Sequence, residues 1–73
     1  MPRDRRDDVE EFEVTYLTET KLAVLVEVDG AEHWIPNSQI DEDSEVFVGC
    51  NLMRGDRAKL ICTVYIATQK GLV

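Results

Sequence analysis

The sequence predicts an all-β domain: a small, partly open barrel of five strands, SH3-like or OB-like, finished by a short C-terminal helical turn. Three observations lead there. Apolar and polar residues alternate over several short stretches instead of recurring at helical spacing. Asp29-Gly30, set between two such stretches, is the strongest short-range hairpin signal available. The chain has 73 residues, and a domain of that size buries only about 60 % of its unfolded surface, too little for two full sheets.

Residues 1–8 read as a flexible charged arm ahead of one β-barrel domain spanning 9–73. Phe12, Val14 and Tyr16 then alternate with Glu11, Glu13 and Thr15, as a strand with one buried face requires. "TET" (18–20) makes a turn. In "LAVLVEV", Leu22, Val24, Val26 and Val28 share one face, with Ala23, Leu25 and Glu27 on the other. The Asp-Gly turn leads into "AEHWI", which Pro36 either ends or marks as an edge strand. "NSQI" fits a single helical turn capped by Asn37 or Ser38. "EVFVGCNLM" and "RAKLICTV" form a second hairpin around "RGDR". Val46, Val48, Cys50 and Leu52 then face inward, as do Ala58, Leu60, Cys62 and Val64, with Cys50 opposite Cys62. "YIATQKGLV" loses the alternation and fits a helical turn with Gly71 at its C′ position.

The only tryptophan, Trp34, adjoins the only histidine, His33, and neighbours on a strand face opposite sides. A two-residue Asp29-Gly30 loop pairs Val26 with His33 and Leu25 with Trp34. Trp34 then lies outside beside Leu25, and Glu27 meets Glu32, a like-charge pair. A three-residue loop with a bulge reverses the parity and sends Trp34 among the valines. The two-residue loop is the commoner choice for Asp-Gly, so Trp34 is expected on the outer face. His33 on the valine side reads as a structural residue.

Fifteen acidic residues against eight basic ones give a net charge of −7, which works against general binding to nucleic acid or anionic membranes. The charge is uneven: "DDVEEFE" and "DEDSE" are acidic, the first few residues basic. "DEDSE" lacks the glycine and spacing of a calcium loop and reads as solvated. Two cysteines and one histidine fall short of a zinc set, and the cysteine spacing is wrong for a redox pair. The cysteines are expected as free thiols in a cytoplasmic protein. Arg54-Gly55-Asp56 spells an adhesion tripeptide but suits a tight turn equally. With no glycine-rich phosphate loop and no nucleophile tied to His33, the chain reads as a non-enzyme without a cofactor or metal.

"WIPNSQI" with the terminal "ATQKGLV" resembles a group of small phage and prophage proteins. Trp34, Ile35, Pro36, Ser38, Gln39 and Ile40 match their first motif, and Ala67, Lys70, Gly71 and Leu72 their second. His33 stands where valine is usual, Asn37 replaces lysine, and Tyr65-Ile66 stand where the family's pattern has Trp-Leu. The resemblance covers about Lys21 to Ile40 and the last nine residues. It implies a mobile-element origin in a bacterial host and carries no activity with it.

Two function classes follow. The first is an acidic module that binds a basic, nucleic-acid-binding surface of a host protein, as inhibitors of the anti-CRISPR or anti-restriction type do. Its contact residues would be Trp34, Leu25, Glu11, Glu13, Asp41, Glu42, Asp43 and Glu45. The second is a single-strand-binding accessory factor stacking bases on Trp34, Phe47 and Tyr16, helped by Arg54, Arg57 and Lys59. Too few aromatics and the wrong overall charge place it behind the first. A structural or assembly subunit without its own ligand is the remaining alternative.

Overall fold

A computed structural model describes residues 9–72, so the expected arm at 1–8 lies outside the described residues. Four strands form one antiparallel sheet: β1 (Val9–Glu19), β2 (Ala23–Val28), β3 (Ala31–Pro36) and β4 (Arg57–Thr63), in the order β3-β2-β1-β4. A 3-10 turn (Asn37–Gln39) follows β3, and helix α1 (Val64–Gln69) follows β4. Among the described residues the protein is thus mostly β with one short helix, and the sheet is not closed.

The long strand β1 serves two partners with different halves. Its first half, Val9 to Thr15, pairs with β4, and Thr15 to Glu19 pairs with β2, so Thr15 is the one residue paired with both strands. Between Tyr16 and Thr18 the register slips by one, so Leu17 is the extra residue of a bulge and is itself buried. Bulges sharpen the local twist, which curls the sheet between its two halves.

The β2–β3 hairpin has the register of a two-residue loop. Val28 faces Ala31, Val26 faces His33, and Leu25 faces Trp34. Asp29 and Gly30 both take positive φ, 52° and 84°, the pattern of a type I′ turn whose twist matches the strands. Pro36 does both things expected of it, ending β3 and lying on an edge strand.

The inner face carries the core. Val14 and Tyr16 from β1, Val24 and Val26 from β2, Ile35 from β3, and Leu60 and Cys62 from β4 are buried together. Ile66 and Ala67 of α1 and Val46 of the long connection complete the cluster. Helix α1 is capped at its start by the Thr63 hydroxyl, which accepts from the Ile66 N–H. At its end Leu72 N–H reaches the Ala67 carbonyl and Gly71 N–H that of Thr68, with Gly71 at φ 76°. These bonds make a Schellman ending, in which the left-handed residue is easiest for glycine.

Three expectations need correction. The sheet has four strands among the described residues, because 45–53 does not join it as a fifth and makes no hairpin with β4. β1 occupies the inner edge of β4, and Gly49 and Asn51 take positive φ (95° and 65°), which breaks extended structure. The amides there find side chains instead: Val48 N–H donates to Asn37 Oδ1, and Gly49 N–H to Glu19 Oε2. Cys62 consequently faces Glu10 on one side and Ile40 on the other, not Cys50. The inward pattern of that segment survives without a ladder, since Val46 is buried and Val48, Cys50 and Leu52 pack against the core. Leu22 leaves the valine face and is 78 % exposed, because β2 starts at Ala23. The Thr20 hydroxyl accepts from the Leu22 and Ala23 amides and holds Leu22 in the turn. Finally, neither Asn37 nor Ser38 caps the helical turn; Pro36 holds that position.

Candidate functional site

The side of the sheet away from the core is solvent-facing. On the β2–β3 hairpin it shows three cross-strand pairs in succession: Ala23 with Pro36, Leu25 with Trp34, and Glu27 with Glu32. Two apolar pairs therefore give way to an acidic one. Trp34 is 43 % exposed and Leu25 half-buried. The parity of the turn places the ring here, since Trp34 lies one residue from the fully buried Ile35 and so faces the other way.

Glu11 and Glu13 also lie on this outer side, but cations of β4 meet them. Lys59 Nζ is 3.1 Å from Glu11 Oε2, and Arg57 approaches Glu13 at 3.8 Å. The hydrogen bond to Glu11 and then its charge hold the Lys59 ammonium above its ordinary range, with Glu45 and Glu13 adding to it. Both carboxylates thus have an internal counter-charge. Glu27 and Glu32 directly oppose each other across the hairpin, and no ion pair reaches either among the described residues. Like charges so placed are mildly unfavourable and favour an external cation.

The "DEDSE" loop does more than face solvent. Segment 40–46 runs along the outer edge of β4 and satisfies it. Asp41 N–H donates to the Ile61 carbonyl and Glu45 N–H to that of Lys59. The Ser44 hydroxyl accepts from Ile61 N–H at 3.0 Å, and Glu45 Oε1 from Lys59 N–H at 2.9 Å. Two side chains thus take the place of backbone acceptors, as a true fifth strand would have supplied. Glu42 and Asp43 remain exposed, and Asp41 accepts from the Asp43 amide. The sequence reading missed Ser44, which is buried at this seam. A serine in an acidic run carries no mark of burial.

The expected contact residues therefore divide into three groups. Trp34 and Leu25 sit at the β3 edge, Glu11 and Glu13 at the middle, and Asp41, Glu42, Asp43 and Glu45 beyond β4. From β3 to that loop is four strand spacings, roughly 19 Å along the sheet. The aromatics of the alternative reading do not gather either. Tyr16 is buried with its hydroxyl on Glu19, 2.9 Å away, and burial first, then that hydrogen bond, pushes its pKa up to about 12.

Among the described residues no group of three or more His, Cys, Asp or Glu side chains is placed to hold a metal ion. No helix described is long and apolar enough to cross a membrane. Cys50 and Cys62 are free thiols, and burial, with a smaller push from Glu10, raises the Cys62 thiol to about 11. No family model matches the chain, and no curated protein or solved structure is significantly similar to it.

Proposed function

We propose that the chain is a non-enzymatic protein-binding module that offers an acidic surface to a basic, nucleic-acid-binding site of another protein and competes there with phosphate. The single observation behind this reading is the outer face of the β2–β3 hairpin, where a part-exposed Trp34 and Leu25 adjoin the Glu27–Glu32 pair, which no ion pair reaches among the described residues. An aromatic anchor beside unpaired charge suits a protein partner, the ring contributing contact area and the carboxylates orientation. Asp41, Glu42 and Asp43 extend the acidic field on the far edge, while Glu11 and Glu13 matter less because Lys59 and Arg57 answer them. The phage or prophage origin, the bacterial cytoplasm as its place of action, and inhibition of a host-defence complex belong to this same reading. So does the barrel type: β1 is bent between two partner sets, as in a partly open SH3-like or OB-like barrel, with segment 40–46 lying where a fifth strand would.

The test begins with nucleic acid. No binding to single- or double-stranded DNA is expected at physiological salt. A partner recovered from bacterial lysate should be a basic protein, bind more weakly as ionic strength rises, and be displaced by duplex DNA. Replacing Asp41, Glu42 and Asp43 together by their amides should slow association without unfolding the domain. Tight single-strand binding by the unmodified chain would overturn the reading in favour of the DNA-metabolism alternative.

A further inference from the structure

The two edges of the sheet are treated differently. On β4 the outward-facing groups of Lys59 and Ile61 are all satisfied by segment 41–45. β3 pairs with β2 alone. The two-residue turn makes Val28–Ala31 the closing hydrogen-bonded pair, so Ala31, His33 and Ile35 aim their backbone groups at β2. The bond from Asn37 N–H to the Leu22 carbonyl continues that phase. Glu32 and Trp34 therefore turn their N–H and C=O groups outward, and no backbone bond meets them there among the described residues. Both residues are exposed.

We infer that the β3 edge is a strand-addition site for an extended basic segment of a partner protein. This rests on the reading of the chain as a protein-binding module and specifies how the partner is held. Antiparallel addition would set one partner residue opposite Trp34 and the residue two further on opposite Glu32. The outer faces then select for side chains in alternation: apolar beside Pro36 and Trp34, and Lys or Arg beside Glu32 with Glu27 behind it. Main-chain bonds supply affinity, and the Glu27–Glu32 pair selects the sign of charge. A second copy of this chain is the poorer occupant, because it brings a net charge of −7 and the same acidic pair.

The probe is a short acetylated, amidated peptide in which threonines alternate with Val, Leu and Arg, in that order, titrated into the intact chain. Amide exchange followed by NMR should show Glu32 and Trp34 exchanging quickly in the free protein and slowing by about tenfold or more when the peptide is bound. Methylating the peptide nitrogens that face β3 should reduce binding by about tenfold or more, since it removes main-chain donors. Glu32→Lys should weaken the Arg peptide by about fivefold or more and favour a version carrying Glu in its place. Equal binding of the methylated peptide, or none of the unmodified one, would overturn strand addition. Protection of Glu32 and Trp34 by self-association without peptide would also overturn it, naming a second copy instead. Salt-sensitive binding of a basic protein that leaves these amides unprotected would reject the edge site but leave the module reading standing. Failure of that binding too would remove both.

Discussion

Replacing Ser44 by alanine removes a single oxygen, yet three backbone groups depend on it. The hydroxyl accepts from Ile61 N–H at 3.0 Å and from Val46 N–H at 3.2 Å, and donates to the Val46 carbonyl at 2.9 Å. Ser44 and Val46 are both buried, so alanine leaves amides that water reaches poorly. An orphaned buried donor costs about 1–3 kcal/mol, and the half-buried Ile61 amide belongs near the lower end. The two donors together give a loss of about 2–4 kcal/mol, to which the shared carbonyl adds little because it keeps other lone-pair options. Total stability for a chain of this length is about 4–11 kcal/mol at the usual value per residue. A urea slope of about 1 kcal/mol per molar then lowers the midpoint by about 2 M or more. The assay is a denaturant melt of Ser44→Ala beside Ser38→Ala, an exposed control expected to lie within about 0.5 kcal/mol of the parent. Exchange of the Ile61 amide should accelerate in the first variant only. A loss below about 1 kcal/mol, with Ile61 still protected, would refute the claim that the hydroxyl seals this edge.

Two further outcomes concern ionisable groups in the core. Under native conditions near pH 8 a thiol reagent should modify Cys50 and spare Cys62 until the chain unfolds, because Cys62 is fully buried and titrates at about 11; mass spectrometry of the digested product reads this, and equal labelling would contradict it. In a Tyr65→Phe background the phenolate absorbance of Tyr16 should appear near pH 12 instead of 10, and Glu19→Gln should lower that value. Since the folded pKa is raised, the unfolded chain loses its proton first, so stability is full below pH 10 and declines as pH rises toward 12. A midpoint of denaturation that holds constant over that window would contradict the assignment.

How far the sequence could be read depended on whether local chemistry or tertiary competition decided each piece. Asp29-Gly30 determines its own turn, and through it the register, the outward Trp34 and the inward Ile35, all by parity. Gly71 likewise ends α1 by a local rule. The pairing of β4 was different. Alternation put Ala58, Leu60, Cys62 and Val64 toward the core; the first three pack there and Val64 instead opens α1, but alternation says nothing about which strand lies alongside. β1 took that edge because an eleven-residue strand is long enough to serve β4 and β2 with separate halves. Segment 45–53 then kept its inward pattern and lost its ladder. The candidate site was legible in its members and not in its arrangement: Trp34 and Leu25 adjoin as the register requires, whereas the acidic loop lies across the sheet from them. Its tie to β4 runs through Ser44 and Glu45, whose roles depend on a strand distant in sequence.

The sealed margin of β4 also limits how these molecules can assemble. A sheet with both margins open can accept a neighbour on each side, and head-to-tail repetition of that contact grows a filament. Here one margin is occupied by the chain's own loop, so a molecule that receives a strand on β3 has no second place to pass the contact on. Repetition of one contact from copy to copy therefore has no route through β4. A serine hydroxyl and a glutamate carboxylate thereby guard that margin against edge-to-edge growth.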